Sequence, residues 1–181
     1  MRLARSRPSL PRFAVAWFPS FAGIERIEDF RRHHDPTAER IAAHLPLVFP
    51  FSSSLSRLQL ATHVGRVASR WPPIPVTFRA VRGHANEFVF LMVSRGAASI
   101  SALHDRLYTR SFRPHLRRDL PYEPRVTLAC CADLAHLEAA LAEAKDEFGS
   151  EFSDVMREVT LLGVNGNGEM SPLKTFALNC A

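Results

Sequence analysis

Two short stretches hold the residues best suited to chemistry. "HLPLVFPF" at 44–51 and "PRVTLACC" at 124–131 share a layout of anchor residue, hydrophobic residue, third residue and apolar run, so His44 aligns with Arg125 and Pro46 with Thr127. On a strand, residues i and i+2 point to one face. A His-x-Thr at a strand start therefore presents an imidazole beside a hydroxyl. Two such strands facing across a cleft supply one imidazole to take a proton from an attacking oxygen and another to protonate the leaving oxygen, while two hydroxyls hold the phosphoryl oxygens. That is sufficient for a phosphodiester without a metal. Each stretch here holds half of such a pair. Pro46 brings neither hydroxyl nor N–H. Arg125 stays protonated near neutral pH, so it can grip an oxyanion with its planar fork but cannot shuttle a proton.

These residues need strands and a frame. Phe13 to Phe18 reads as a first strand ending at Pro19, followed by a helix carrying Ile24, Ile27 and Phe30 that stops before Pro36. Leu47 to Phe51 is the next strand. The serines at 52–54 are candidate caps for a helix whose stripe is Leu58, Ala61, Val64, Val67 and Trp71. Residues 76–81 and 88–93 form a hairpin with Gly83 at the turn, and a helix with Ile100, Leu103 and Leu107 follows. Val126 to Cys130 is a strand, Asp133 caps a helix facing Leu134, Leu137, Leu141 and Phe148 inward, and residues 155–164 and 175–179 bracket "NGNG" as a last hairpin. The order of motif strand, helix and hairpin thus occurs twice, with anchors 81 residues apart. Two related lobes facing each other make a cleft, a usual place for a ligand.

Composition narrows the class. The chain has 181 residues, 46% hydrophobic and 23% charged, which is enough for a real core. No apolar run approaches the roughly 18 residues of a membrane-spanning helix. Net charge is +5, and only Lys145 and Lys174 among the 23 basic residues are lysines. Arginine suits phosphate, although an Ala- and Arg-rich vocabulary can also reflect a GC-rich genome. Three cysteines, two of them adjacent, argue against a disulfide framework and for a reducing compartment, the cytoplasm. No run has zinc-ligand spacing, so no metal is expected. Residues 1–12 read as a disordered basic tail, with a transit peptide as the alternative, and residues 13–181 as a single domain of two lobes.

"DPTAERIAAHLPLVFPF" from Asp35 and "HLRRDLPYEPRVTLA" from His115 resemble the two signature regions of the 2H phosphoesterase superfamily, which includes 2′-5′ RNA ligase-like proteins and cyclic phosphodiesterases. The resemblance implies an α+β fold, bilobal and duplicated, with two mainly antiparallel sheets flanked by helices around a central cleft. It also implies metal-independent phosphodiester hydrolysis or ligation with no cofactor. Carried over residue by residue, it gives His44 and Thr127 catalytic roles with Thr127 also a phosphate ligand; Pro46 and Arg125 depart from the pattern, and Arg125 is a candidate phosphate ligand through its own guanidinium fork.

His115, ten residues before Arg125, is the candidate substitute acid. Its alternative is a solvent-facing loop histidine, and His63, His84, His104 and His136 read most simply as surface residues. The loop carrying Arg113, Arg117, Arg118 and Tyr122 has the mixture of cations and aromatics that RNA contact needs, or is a solvated loop balanced by Asp119 and Glu123. Three functions fit these residues. One is a protein with a degraded site that binds RNA ends or a nucleotide. Another is an active cyclic phosphodiesterase or RNA-end-processing enzyme that uses His44 with a non-standard second proton donor. The third is an interaction protein with a vestigial cleft.

Overall fold

A computed structural model describes residues 10–179. All but three residues of the expected basic tail lie outside that range, and Arg12 already opens the first strand. Strand β1 (Arg12–Trp17) is followed by helix α1 (Ile24–His34), strand β2 (Leu45–Ser52), helix α2 (Arg57–Ala68), the hairpin β3 (Ile74–His84) and β4 (Phe88–Arg95), and helix α3 (Ala97–Leu107). Strand β5 (Arg125–Cys130), helix α4 (Leu134–Glu147) and strands β6 (Phe152–Met156), β7 (Glu158–Val164) and β8 (Met170–Ala177) complete the order. The strands make two four-stranded antiparallel sheets, β2-β1-β7-β8 and β5-β4-β3-β6. The fold is therefore α+β with two antiparallel sheets, as expected.

Each sheet draws on both halves of the sequence. The first motif strand, β2, joins the late hairpin β7–β8, whereas the second, β5, joins the early hairpin β3–β4. The switch is made where residues 155–164, read as one strand, break at Arg157. Met156 and Val159 are both fully buried, which an uninterrupted alternation does not allow, so β6 ends on β3 and β7 starts on β1.

One face of each sheet meets the main core. Phe13, Val15 and Trp17 of the first sheet and Val89, Leu91, Val126 and Leu128 of the second are all buried in it. Helices α1 and α4 pack on the second sheet, α2 packs on β7 and β8, and α3 touches both sheets. A smaller cluster of Ala14, Ala16, Leu162 and Val164 occupies the opposite face of the first sheet.

Several local expectations shift for identifiable reasons. Ser56, not Ser52 to Ser54, caps α2, in a reciprocal capping box with Gln59. The buried stripe is then Leu60, His63, Val64 and Val67, and Leu58, two residues and about 200° round the helix from Leu60, is 76% exposed. Asp133 caps α4 as expected by accepting from the His136 N–H, yet Leu134 falls outside the buried face. The β3–β4 loop is the three residues 85–87, with Ala85 and Asn86 both at positive φ inside a turn closed by the Glu87 N–H donating to the His84 carbonyl, and Gly83 stays in the strand.

Gly96 shows where backbone freedom is required. It enters α3 at φ +89°, and a Cβ there would meet the Pro75 carbonyl oxygen at 2.5 Å. Gly96→Ala should cost about 1–3 kcal/mol, seen as a lower urea midpoint with an unchanged m-value. An unchanged midpoint would show that the β3–α3 junction relaxes freely.

Candidate functional site

The approach to His44 is built on a buried ion network. Arg31 on α1, 2% exposed, donates to Glu28 and Asp35 at 3.1 Å each. Glu28 accepts the Ala43 N–H with its other oxygen at 2.6 Å. Asp35 accepts the N–H and hydroxyl of Thr37. Both ends of the 35–43 connection are thereby tied to α1, and the Asp-Pro preceding the first motif has a physical role: it fixes where β2 begins. Arg31 Nε is the one buried side-chain nitrogen left without a partner among the described residues.

His44 sits just before β2, with its ring 6.0 Å from that of Phe18. Its side chain keeps some exposure, but the surrounding protein pushes its pKa down to about 4. Burial is the main cause and the Arg31 charge adds to it, against the Ala42 carbonyl and Asp35, which act upward. The imidazole is therefore neutral at pH 7. With Nδ1–H donated to the Ala42 carbonyl at 2.9 Å, Nε2 carries the lone pair, as a proton acceptor requires.

The second motif lies across from Pro46. Tyr122 donates its hydroxyl to the Pro46 carbonyl at 2.8 Å, linking the chain entering β5 directly to β2. The Tyr122 ring stacks on His104 at 3.7 Å, and His104 Nδ1 donates to the Leu47 carbonyl at 2.8 Å. Tyr108 accepts the Phe49 N–H at 3.0 Å. Burial lowers the pKa of His104 and raises that of both tyrosines, so Tyr122 keeps the proton it donates and His104 stays a neutral donor through Nδ1–H.

Between the sheets is a cavity of about 230 Å³ whose wall includes Pro46, Phe49, His84, Tyr122, Arg125 and Thr127. Arg125 is half-buried, its guanidinium 4.3 Å from the centre of the Phe90 ring. Its Nη1 donates to the Glu123 carbonyl at 3.1 Å, while the Glu123 carboxylate pairs with Arg82. No carboxylate among the described residues forms an ion pair with Arg125. Burial lowers its pKa, with Glu123 acting the other way. The guanidinium is thus held in place by Phe90 and the Glu123 carbonyl.

The structure brings Arg125, Thr127 and Tyr122 onto one wall facing Pro46. His44 is not on that wall; it lies two residues before Pro46, just ahead of β2. His115 is elsewhere: its ring packs on Phe51 at 4.5 Å, and at about 3.3 Å per residue Phe51 is roughly 20 Å along the chain from His44. It does not share a phosphate with His44 in this conformation. Arg117 is engaged by Asp119 through two nitrogens, which holds the Asp119 carboxyl down to about 2. Arg113 and Arg118 are exposed. His63 and His104, read from sequence as surface groups, are buried and bonded to the Leu107 and Leu47 carbonyls, and His84 lies on the cavity wall. Helical spacing places His104 beside Ile100 and Leu107 on the inner face, a signal present in the sequence, but nothing there announces its carbonyl partner.

Two antiparallel sheets facing across a cleft, each contributing one motif strand, define a 2H-type architecture. The family model of the 2′-5′ RNA ligase superfamily matches residues 19–163, and the chain belongs to this superfamily of 2H phosphoesterases. Among solved structures, E. coli LigT complexed with phosphate is 21% identical with a TM-score of 0.64, covering 94% of this chain and 99% of that one. E. coli LigT complexed with 3′-AMP is 20% identical with a TM-score of 0.62 over 93% and 98%. TT0787 of Thermus thermophilus is 15% identical with a TM-score of 0.62 over 92% and 97%. No curated protein matches significantly.

The neutral His44 has a measurable consequence. Unfolded, it titrates near 6.5, and folded near 4. Between those values the unfolded chain binds the additional proton, so stability rises with pH through this window and is lost as pH falls through it. His63 and His104, also lowered by burial, act in the same direction. His44→Gln should leave stability at pH 7.5 little changed and make its fall from pH 6.5 to 4 shallower. Equal slopes for the two proteins in urea melts across that range would show that His44 does not titrate this way.

Proposed function

We propose that this protein binds a phosphate-bearing ligand, an RNA end or a nucleotide, in the cleft and turns it over feebly or not at all. The observation that carries this reading is Arg125: a half-buried guanidinium on the cavity wall, stacked on Phe90 and lacking a carboxylate partner among the described residues. A phosphate here would accept from the remaining Arg125 nitrogens and from the Thr127 hydroxyl. Phe49, Phe88 and Tyr122, also on the wall, offer apolar surface to a base or sugar. LigT, which shares the fold, has been solved complexed with phosphate, 3′-AMP, NADP+ and ATP.

Catalysis asks for more than this site contains. His44 has the neutral imidazole of a general base, and this favours the second reading, an active enzyme. The opposite side of the phosphate then needs a proton donor. Arg125 remains a cation, Pro46 donates nothing, and His115 is packed at the far end of β2. A positioned acid or base is worth about 10²–10⁴ in rate, roughly 3–5 kcal/mol of barrier. The remaining function of the cleft is ground-state binding.

Binding and chemistry are separable by experiment. Arg125→Ala should weaken 3′-AMP binding by about 10–100-fold, since a charge-assisted hydrogen bond contributes about 1.5–3 kcal/mol. Affinity for short RNA should fall with salt, and Arg118→Ala should flatten that dependence. Arg125→His with Pro46→Thr restores both missing groups. That double variant should gain 2′,3′-cyclic phosphodiesterase activity with a bell-shaped pH profile that the parent lacks. Brisk hydrolysis by the parent, abolished in His44→Ala, would overturn the binder reading.

A further inference from the structure

Away from the cleft, four arginines converge where α2 and α3 end side by side. Arg66 lies in the last turn of α2 and Arg70 just beyond it; Arg106 lies in the last turn of α3, and Arg110 opens the following 3-10 segment. Arg66, Arg70 and Arg106, with Val67 and Trp71, line a cavity of about 140 Å³. It shares no lining residue with the cleft cavity. Helices α2 and α3 pack against β7, β8 and β2, and α2 and α3 are buried along Leu60, Val64, Ile100 and Leu103 in the main core. The arginine pocket is thus a separate place on the molecule.

The surroundings do not neutralise this charge. None of the four arginines forms an ion pair with an acid among the described residues; the partner of Arg66 is His63 Nδ1, at 3.0 Å. That atom is an acceptor because His63 Nε2–H is given to the Leu107 carbonyl at 2.8 Å, so Arg66 is aimed by a neutral group. Asp105 acts on the other side of α3, where its charge is felt by His104 and Tyr122. Helix C-termini favour cations, but each carries only about −0.5 charge, roughly −1 in total against four positive charges. The excess shows in Arg66, whose pKa is lowered by burial and then by Arg110, Arg70 and Arg106. Arg110 also adopts φ +52°, an uncommon conformation for a side-chain-bearing residue.

We propose that the Arg66–Arg70–Arg106 pocket, flanked by Trp71 and Arg110, is a second anion site that takes a phosphate group. The planar forks of several arginines match the oxygens of a phosphate or pyrophosphate, and Trp71 offers a flat apolar face beside them. This site is independent of the cleft reading. Either a small phosphorylated molecule or the backbone of a nucleic acid supplies the same chemistry.

Inorganic pyrophosphate, titrated into the full chain at constant ionic strength, tests it. Trp17 is buried and Trp71 is partly exposed, so site occupancy should appear as a saturable change in tryptophan fluorescence that Trp71→Phe removes. The change should persist in Arg125→Ala, which disables the cleft. It should weaken on the order of ten-fold or more per arginine removed in Arg70→Gln, Arg106→Gln and their combination, exposed positions whose replacement leaves the thermal transition in place. Displacement of pyrophosphate by short single-stranded RNA would identify the backbone as the source, and failure of RNA to compete would identify small phosphorylated molecules. A response that NaCl reproduces, that survives the double Arg70 and Arg106 variant, that disappears in Arg125→Ala, or that never appears would overturn the proposal.

Discussion

The cleft depends on how the free edge of one strand is satisfied. Strand β2 pairs on one side with β1, and its outer side would otherwise present unpaired backbone groups in a partly buried seam. Three side chains supply the missing partners: Tyr122 for the Pro46 carbonyl, His104 for the Leu47 carbonyl and Tyr108 for the Phe49 N–H. Consecutive carbonyls of a regular strand point in opposite directions. Pro46 and Leu47 can both be reached from outside because the β1–β2 register slips there, pairing Ala16 with Pro46 and Val15 with Val48. An unsatisfied buried carbonyl costs about 1–3 kcal/mol, so these contacts matter to stability. They also set the opening of the cleft, since Tyr122 leads directly into β5.

The same edge explains how a proline is tolerated in a motif strand. The N–H and C=O of one strand residue point to the same side, and the Pro46 carbonyl points outward to Tyr122. The absent N–H therefore belongs to the free edge, where the β1 ladder does not need it. Pro46 costs the site a hydroxyl without costing the sheet a hydrogen bond.

Much of this was legible in the sequence because the relevant signals are local. The alternation around Val126 and Leu128, the Asp133 cap and the "NGNG" turn each specify their element from a few neighbouring residues. The matching layouts at 44 and 125 located the two motif strands, and Arg125, Thr127 and Tyr122 do share a cavity wall. What was not legible depends on distant partners. His104 sits on a helix face that could have ended in solvent, and its burial is acceptable only because a carbonyl 57 positions earlier in the chain accepts its proton. Arg31 is one of several charged residues on α1 with no local signal of burial, and its burial follows from Glu28 and Asp35 closing around it. The break at Arg157 lies inside an apolar run, where hydrophobicity alone does not reveal which sheet each half joins. His115 failed as a cleft residue because the 3-10 segment Arg110–His115 turns its ring onto Phe51, a fold-level event that sequence distance to Arg125 does not encode.

Arginine at 125 is also suited to its wall in a way lysine would not be. The β4–β5 ladder pairs Arg125 with Met92 and Thr127 with Phe90, so the guanidinium rises from an apolar surface and lies against an aromatic face. A lysine ammonium is compact and strongly hydrated, and seating it there would strip water from a point charge. A guanidinium is flat and more weakly hydrated, so one face can rest on Phe90 while its edge keeps donors for an oxyanion. Burial still disfavours the free cation, which is why its pKa is lowered. On the proposed reading, a bound phosphate would offset that cost by supplying a counter-charge. The residue that departs from the His-x-Thr pattern thus lies against an aromatic face and without a carboxylate partner among the described residues.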